Sequence, residues 1–277
     1  MEVKAGNDLW RVLSEPKIRD QRRAVIVADL RSDIPDQWER FLARCVLHNI
    51  PVIDYWSTLE MRSNRVKIEN LYEHFMHSLN PSPIYLVVKG LIDRVLSALL
   101  LVLLFPIFIV IGLIIKIDTS GPVFFNQIRI GYRGRPFVMF KFRTMVHVRD
   151  PGWKTSTDEA DPRITRAGRF LRRHRLDELP QLMNVLLGHM SLVGPRPEAV
   201  KLARYYAHRI SFFKFRYVVK PGITGWAQVE QGFAAEIETM EQKLSYDFFY
   251  IKYFSPTLDA LIFVKTIAVV LLGKGYR

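Results

Sequence analysis

In the first sixty positions, apolar residues form two short runs. Between these runs lies a segment in which apolar residues recur at a regular spacing. Ala24–Leu30 and Ile50–Asp54 are compact apolar runs of the length expected for buried strands. Between them, residues 36–49 carry apolar side chains at helical spacing, at Trp38, Phe41, Leu42, Cys45 and Val46. This order predicts a βαβ unit, and therefore a small parallel α/β piece. Its lack of a Gly-x-Gly-x-x-Gly turn argues against nucleotide binding and favours partner contact or regulation.

A turn-forming segment, Asn80-Pro81-Ser82-Pro83, predicts a boundary after residue 80. The residues before it, Asn70–Asn80, are predicted to form a helix with His74 and His77 on one face. An ordinary amphipathic surface is favoured over a metal pair there, because no third ligand lies nearby in the sequence.

The longest apolar pattern is Val95–Ile115, which has 21 residues and no charge. A helix that spans a membrane needs about 20 such residues. Pro106, near the midpoint, removes a backbone hydrogen bond and is expected to kink or break the helix. Both flanks are cationic, whereas a spanning helix usually has asymmetric flanks. A spanning helix and a re-entrant helix, which dips in and returns, are both open, and a buried core helix is less favoured.

Further along, the pattern predicts a β-hairpin over residues 123–145, with its turn at 131–134. In the second strand Lys141 and Arg143 would share a cationic face opposite an apolar one. Arginines then recur about every three residues on a predicted helix, at Arg163, Arg166, Arg169 and Arg172/Arg173. Such a stripe is a solvated face or an anion-facing one, and the acids that follow it favour the second interpretation.

Those acids are the adjacent pair Asp177 and Glu178. Leu179–Leu187 is apolar and predicted to be helical, ending at Gly188, and Pro180 suits its first turn. The pair therefore lies at or just before a helix N-terminus, where the positive end of the dipole would keep both carboxylates ionised. Simple N-capping by the aspartate is an alternative, but it does not explain the second acid.

The C-terminal third contains three less distinctive segments. Residues 220–226 form a turn-rich loop with two glycines. Leu258–Leu272 is largely apolar but short and charged, and it either lies at a membrane surface or packs as a core helix. The aromatic and basic residues between Tyr205 and Phe215 are typical of an interfacial amphipathic stretch, with core packing as the alternative.

The net charge and its distribution along the chain indicate which class of ligand the chain would attract. The formal net charge is +13, and residues 121–220 alone hold 20 Lys/Arg and 7 Asp/Glu, so the whole excess surrounds the acid pair. Such a field attracts nucleic acid, anionic lipid headgroups or diphosphates. The single cysteine, Cys45, excludes an internal disulfide and a cysteine-based zinc site, as in a reducing compartment. Residues 1–10 show no apolar core of a secretory signal.

Four motifs carry a resemblance to one family. They are Lys141-Phe142-Arg143-Thr144-Met145, Leu176-Asp177-Glu178-Leu179-Pro180-Gln181, Ser191-Leu192-Val193-Gly194-Pro195-Arg196-Pro197 and Lys220-Pro221-Gly222-Ile223-Thr224-Gly225-Trp226. Residues 87–277 resemble the monotopic phosphoglycosyltransferases, the bacterial sugar transferase family that includes undecaprenyl-phosphate galactose- and glucose-phosphate transferases. No single motif is decisive, but in this order the four are highly specific.

The resemblance implies a mostly helical α+β fold on the cytoplasmic face of the bacterial inner membrane. Residues 81–277 would form the catalytic domain, with a re-entrant membrane helix at about 90–116 and amphipathic interfacial helices. Residues 1–80 would be a partial Rossmann-like α/β piece, a remnant of the larger module of long family members. The helix break would fall at Phe105-Pro106, where well-known members have Ser-Pro.

The resemblance also implies the reaction and its residues. A sugar phosphate would pass from a UDP-sugar to undecaprenyl phosphate with release of UMP, through a covalent aspartyl phosphosugar. Asp177 would be the nucleophile, Glu178 would hold Mg²⁺, and Lys141, Arg172 and Arg196 would meet phosphates. The other positions that match the family's active site or its helix break are Arg143, Pro195, Pro197, Asp247 and Pro106.

The expected partners are therefore a UDP-sugar, undecaprenyl phosphate and membrane lipid, with no nucleic acid, and a homodimer is left open. The product would begin the assembly of exopolysaccharide, capsule, O-antigen or another glycoconjugate, and the identity of the sugar is open. Two other classes are kept: a basic membrane-surface or nucleic-acid-binding protein, since arginines among aromatics suit RNA, and an inactive scaffold of a glycan assembly complex. The apolar run argues against the first class and the intact acid pair against the second.

Overall fold

The structure is a computed structural model that describes residues 13–17, 25–66, 81–146, 161–231 and 237–271. The chain divides into two compact units, Met1–Asn64 and Arg65–Arg277. The helix predicted at Asn70–Asn80, with His74 and His77, lies outside the described residues, as do residues 147–160.

The smaller unit contains the predicted βαβ unit. Its elements are β1 (Ile26–Ala28), a helix (Asp36–Leu47), β2 (Val52–Asp54) and a second helix (Tyr55–Ser63). β1 and β2 pair in parallel, which confirms the predicted topology, although both strands are shorter than the apolar runs. The first helix buries Phe41 and Cys45 against Ile50, so its apolar spacing forms the small core.

A single helix of 36 residues, Pro83–Asp118, opens the described part of the larger unit and is called the long helix. It begins at Ser82, whose hydroxyl accepts a hydrogen bond from the backbone N–H of Tyr85 at 3.4 Å. It continues through Pro106, so the proline does not end the helix. The helix is long and apolar enough to cross a membrane, and only 11% of its most apolar 18-residue window is buried. That exposure does not fit the buried core helix that the sequence left open.

Two stretches of the long helix are buried against the rest of the larger unit. The buried residues are Lys89, Asp93, Ser97, Ile111 and Ile115. Ile111 and Ile115 belong to one apolar cluster with Phe142 and Leu171. Between the two stretches the helix is exposed, and Val102 and Leu103 leave 78% and 72% of their surface accessible. The apolar middle of the helix is therefore only partly covered by the described residues.

The predicted hairpin follows the long helix. β3 (Phe124–Ile130) and β4 (Pro136–Phe142) pair antiparallel, with Phe124 opposite Phe142. The remaining elements of the larger unit are a helix called the arginine helix (Arg166–Arg173), a 3₁₀ turn (Leu176–Glu178), a short helix (Gln181–Leu186), β5 (Ser191–Val193), a helix (Val200–Arg209), a 3₁₀ segment (Phe213–Val218), β6 (Gly222–Thr224) and helices at Trp226–Glu230, Ile237–Lys252 and Pro256–Leu271. β5 and β6 pair in parallel.

The main core of the larger unit lies among its C-terminal helices and includes Phe248 and Ile262, which have no exposed surface. Tyr206 and Phe213 are buried in the same cluster, so the aromatic stretch from Tyr205 to Phe215 contributes to core packing. The last helix buries Ile262 on one face while Val264 is 63% exposed. A membrane-surface position was considered for residues 205–215 and for the last helix. In both segments, one side packs in the core.

Candidate active site

The acid pair lies in the 3₁₀ turn that follows the arginine helix. Arg175 adopts a left-handed conformation with φ of 56°, which turns the chain out of that helix. Asp177 and Glu178 are then only 8% and 6% exposed. The next helix begins at Gln181, two residues later than predicted, so the pair precedes a helix of six residues. A helix this short supplies little dipole, so the charges around the pair come mainly from side chains.

Three cations hold the carboxylate of Glu178. Lys141 Nζ donates to Oε1 at 3.0 Å, and Arg196 bonds both oxygens, with Nη2 to Oε1 at 2.6 Å and Nη1 to Oε2 at 3.3 Å. Arg175 Nη1 lies 3.8 Å from Oε2. Burial alone would raise the pKa of Glu178, but Arg196, Lys141 and Arg175 outweigh it and hold the pKa well below its usual range. Glu178 is therefore a fixed anion.

Asp177 is held much less tightly than its neighbour. Its nearest cation among the described residues is Lys141, whose Nζ lies 4.0 Å from Oδ2. Burial raises the pKa of Asp177; Lys141 opposes this shift and the charge of Glu178 adds to it. The sequence predicts that a helix end keeps both acids ionised; Glu178 is kept ionised by its side-chain cations instead, while burial moves the pKa of Asp177 in the opposite direction. The structure therefore gives the two adjacent carboxyls different electrostatic surroundings, and their pKa values shift in opposite directions.

Lys141 reaches the pair from β4, and a buried amide fixes that strand in place. Asn184, in the short helix after the acids, accepts a hydrogen bond from the backbone N–H of Phe140 at 2.9 Å. Its Nδ2 donates to the Val138 carbonyl at 2.6 Å. Burial lowers the pKa of the Lys141 ammonium, while Glu178 raises it. Asn184 thus ties the strand that carries the lysine to the helix that follows the acids.

Only part of the arginine stripe faces the acids. Arg172 is half-buried, its Nε donates to Thr144 Oγ1 at 2.9 Å, and its charge lowers the pKa of Asp177. Arg166, Arg169 and Arg173 are exposed. The anion-facing interpretation therefore applies to Arg172, and the solvated-face interpretation applies to Arg166, Arg169 and Arg173. Arg163 precedes the helix and pairs with Asp161, with Nη2 2.7 Å from Oδ2.

The arginine helix can approach β4 because of a glycine. A Cβ atom on Gly168 would lie 2.0 Å from the Thr144 carbonyl oxygen, a distance no side chain tolerates. Gly168 therefore allows the helix backbone to lie directly on the residue that accepts the Arg172 hydrogen bond.

Arg143 lies away from the acid pair. Its guanidinium donates to the Ser120 carbonyl at 2.9 Å, and to the Thr119 carbonyl and hydroxyl at 2.8 and 2.9 Å. The predicted cationic face shared with Lys141 is not formed, because β4 ends at Phe142 and the strand alternation ends with it. Arg143 instead holds the C-terminal end of the long helix, where a cation meets free carbonyl groups.

Arg196 is carried by a loop whose backbone lies against a second motif. The Pro195 carbonyl accepts from the Gly222 N–H at 3.0 Å, and the Gly194 N–H donates to the Thr224 carbonyl at 2.8 Å. A Cβ on Gly222 would lie 2.1 Å from the Gly194 nitrogen. The glycines of these two motifs therefore serve close backbone packing, which fixes the position of Arg196.

Asp247 acts on this loop through an arginine. It is buried, and its Oδ2 accepts from Arg216 Nη2 at 2.7 Å. The same Nη2 donates to the Arg196 carbonyl at 2.9 Å. Arg129 supports the next residue by donating to the Pro197 carbonyl at 2.8 Å. Asp247 is thus a positioning residue and does not contact the acid pair.

Glu198 and Lys243 complete what is called here the balanced network, together with Arg216 and Asp247. Lys243 Nζ donates to Glu198 Oε1 at 2.7 Å, and Arg216 Nη1 lies 3.5 Å from the same oxygen. Burial opposes ionisation, but Lys243 and Arg216 lower the pKa of Glu198 to about 2. Sequence reasoning missed Glu198, Arg216 and Lys243. The one local signal was that Glu198 directly follows the Gly194–Pro197 motif.

Among the described residues, no group of three or more His, Cys, Asp or Glu side chains could hold a metal ion. Magnesium commonly takes one or two carboxylates and completes its shell with phosphate oxygens and water. The adjacent carboxylates of Asp177 and Glu178 have the oxygen donors that this ion prefers. Both oxygens of Glu178 already bond cations, so a magnesium ion bound to Glu178 would have to share an oxygen with Lys141 or Arg196.

Comparison with known proteins identifies the family to which this chain is similar. The family model described as bacterial sugar transferase matches residues 84–273. The UDP-N-acetylgalactosamine-undecaprenyl-phosphate N-acetylgalactosaminephosphotransferase of Aeromonas hydrophila is 42% identical over 269 residues, which cover 97% of this chain and 64% of that protein. The UDP-glucose:undecaprenyl-phosphate glucose-1-phosphate transferase of Xanthomonas campestris pv. campestris is 47% identical over 195 residues, 69% of this chain and 40% of the relative.

A third relative, the UDP-glucose:undecaprenyl-phosphate glucose-1-phosphate transferase of Escherichia coli K12, is 38% identical over 228 residues, 80% of this chain and 48% of the relative. The chain thus spans from 40% to 64% of the length of these three relatives. The matched family region, residues 84–273, contains all four motifs, both acids and the cations around them. The chain belongs to the bacterial sugar transferase family.

Proposed function

We propose that this chain transfers a sugar phosphate from a UDP-sugar to undecaprenyl phosphate and releases UMP. The observation that carries the proposal is the acid cluster, defined as Asp177 and Glu178 with the four cations around them: Lys141, Arg172, Arg175 and Arg196. Two buried carboxylates among four cations leave positive charge for an anionic substrate. The names of the three relatives supply the two substrate classes.

In the first step a carboxylate oxygen of Asp177 attacks the β-phosphorus of the UDP-sugar. A new oxygen–phosphorus bond forms, the bond to the bridging oxygen of the diphosphate breaks, and UMP leaves with that oxygen and its electron pair. Asp177 is favoured over Glu178 as the nucleophile because Glu178 is held by three cations, whereas Asp177 has one cation at 4.0 Å. The intermediate is an aspartyl phosphosugar.

In the second step a phosphate oxygen of undecaprenyl phosphate attacks the same phosphorus. The bond to Asp177 breaks and returns its carboxylate, and the product is an undecaprenyl diphosphosugar. Because UMP leaves before the acceptor reacts, ping-pong kinetics are expected.

Glu178 prepares the cluster for both steps. By bonding Lys141 and Arg196, it holds these two donors next to Asp177 before any substrate arrives. Donors fixed in advance stabilise the charge that develops on phosphoryl oxygens without reorganising. Magnesium held by Glu178 would supply further neutralisation of the diphosphate when bound.

The long helix is proposed to be re-entrant, dipping into the membrane from the cytoplasmic side. Both of its buried stretches contact the same unit, and Ser97 and Ile111 lie roughly 21 Å apart along an axis that rises about 1.5 Å per residue. The hydrocarbon core is about 30 Å thick, so a span between these residues would be too short. The exposed apolar face of the last helix, at Phe263 and Val264, would lie at the membrane surface.

The test is UMP release by the purified full chain with undecaprenyl phosphate, magnesium and a panel of UDP-sugars that includes UDP-glucose and UDP-N-acetylgalactosamine. Asp177→Asn should abolish UMP release and any covalent phosphosugar adduct, because an amide is not a nucleophile here. Asp36→Asn, an exposed site in the smaller unit, is the matched control and should release UMP normally. Near-normal UMP release by Asp177→Asn would show that Asp177 is not the nucleophile.

A further inference from the structure

The N-terminal half of the long helix carries two buried charges that neither step of the proposed reaction uses. Lys89 and Asp93 lie one helical turn apart and are 8% and 5% exposed. A buried charge is costly unless it is paired and hydrogen-bonded, so the partners of these two residues show what the charges hold together. Lys89 Nζ lies 2.7 Å from Asp259 Oδ2, in the last helix, and 3.6 Å from Asp93 Oδ2.

Asp93 also holds the first two residues of β5. Its Oδ2 accepts a hydrogen bond from the Ser191 hydroxyl at 2.6 Å. The Leu192 backbone N–H is a further hydrogen-bond partner of the same carboxylate. Ser191 is only 2% exposed, so water has little access to the contact. Hydrogen bonds to a charged acceptor are about twice as strong as neutral ones. This contact therefore fixes the beginning of β5 to the long helix.

A second connection runs from the long helix to β5 through the last helix. Lys89 pairs with Asp259, and Asp259 Oδ1 lies 2.8 Å from the Tyr250 hydroxyl. The same hydroxyl lies 3.0 Å from the Val193 carbonyl oxygen. Lys89 thus reaches β5 through two other residues, whereas Asp93 contacts the strand itself.

The position of β5 determines where Arg196 lies. Backbone hydrogen bonds of 2.8–3.0 Å join residues 191–195 to residues 221–224, so this segment is held as one unit. Arg196 directly follows the segment, and its Nη2 donates to Glu178 Oε1 at 2.6 Å. A displacement at the beginning of β5 would therefore be carried along the paired backbone to a cation of the acid cluster.

We propose that Asp93 is a positioning residue, which holds β5 so that Arg196 stays within reach of the acid cluster. The inference rests on the proposed function, because it assigns Asp93 a part in the transfer reaction. The hydrogen-bond partners of Asp93 are Ser191 and Leu192, which belong to β5 and not to the acid cluster. Asp93 thereby couples the apolar helix to the loop that carries a proposed phosphate-binding arginine.

The first test measures kcat and KM for UMP release by the full chain in detergent with undecaprenyl phosphate. Asp93→Ala removes both hydrogen bonds and should lower kcat about tenfold to a hundredfold, because a small misplacement of a catalytic group costs up to about 10² in rate. KM for the UDP-sugar should change less, since Arg196 is assigned to charge that develops in the transition state. Ser191→Ala removes one donor from the other side of the contact and should have a smaller effect in the same direction.

Two variants control for loss of structure. Asp93→Asn keeps an oxygen that can accept from both donors, so it should retain most of the rate. Glu241→Ala removes an exposed acid from the same unit and should release UMP as wild type does. A wild-type kcat in Asp93→Ala would overturn the proposal.

A double-mutant cycle tests whether Asp93 acts through Arg196. If it does, adding Asp93→Ala to Arg196→Gln should slow UMP release by less than about twofold further, because residues that act together are not additive. Added to Arg172→Gln, which leaves β5 unchanged, the same substitution should have its full effect. An equal loss in both backgrounds would mean that Asp93 supports the fold in general, and would exclude the positioning role.

Hydrogen–deuterium exchange provides a readout that does not require activity. Asp93→Ala should speed exchange of the backbone amides of residues 191–194 and leave residues 244–251, in the main core, at the wild-type rate. Wild-type exchange at residues 191–194 would show that Asp93 does not hold β5. Absence of UMP release from the wild-type chain would instead contradict the proposed function, so the two failures are distinguishable.

Discussion

The acid cluster and the balanced network are both built from buried carboxylates and cations, yet their charge balance differs. Counted by ion pairs within 4.0 Å, the acid cluster has two carboxylates and three cations, Lys141, Arg175 and Arg196, with Arg172 as a further cation nearby. The balanced network pairs Glu198 and Asp247 with Arg216 and Lys243, two against two. The excess charge suits the first for an anionic substrate, and the neutrality of the second suits it for holding structure. Arg196 contacts both groups of residues, because its side chain donates a hydrogen bond to Glu178 and its carbonyl accepts one from Arg216.

Breaking the balanced network should affect stability most. Asp247→Asn removes the carboxylate that accepts from Arg216 and leaves a buried guanidinium with less compensation. Loss of one partner of a buried ion pair costs about 3–5 kcal/mol. The melting temperature of the purified chain measures this loss. If Asp247→Asn melts as wild type does but loses UMP release, Asp247 belongs to the chemistry and the distinction between the two regions is wrong.

Changing the acid cluster should instead affect rate more than stability. Arg196→Gln removes a cation that would stabilise charge on phosphoryl oxygens, so UMP release should fall by about 10²–10³, as for loss of an oxyanion donor. The control is Arg169→Gln, an exposed position of the arginine helix, for which we expect a near-normal rate. Equal losses in both variants would mean that the whole basic surface, and not the cluster, supports the reaction.

The smallest effect concerns the pH dependence of stability. The pKa of Glu198 is about 2 in the folded chain against 4.5 for the free group. Because the unfolded state binds the proton more tightly, the stabilisation is complete above pH 4.5 and is lost as the pH falls towards 2; it amounts to about 3 kcal/mol. Glu198→Gln should therefore melt at a lower temperature than wild type at pH 6, and the difference should shrink towards pH 3. A constant difference across this range would contradict the role given to Glu198.

Local pattern was enough to predict several elements. The βαβ order, the hairpin and the uncharged run at Val95–Ile115 follow from periods of a few residues, which neighbours along the chain determine. The predicted break at Pro106 did not appear as an end of the helix, because a proline removes one hydrogen bond and the flanking apolar residues continue the helix around it.

The sequence by itself also determined that two acids stand in a segment with a large cationic excess next to an apolar run. Only the tertiary structure decided which cations meet the acids: Lys141, Arg172 and Arg196 approach them, Arg143 holds the end of the long helix, and Asp247 acts through Arg216. It also brought Asp93 to Ser191, although 98 positions separate them. Charge and period are properties of neighbouring residues, whereas these contacts depend on where a strand ends, where a glycine admits a backbone and how helices pack.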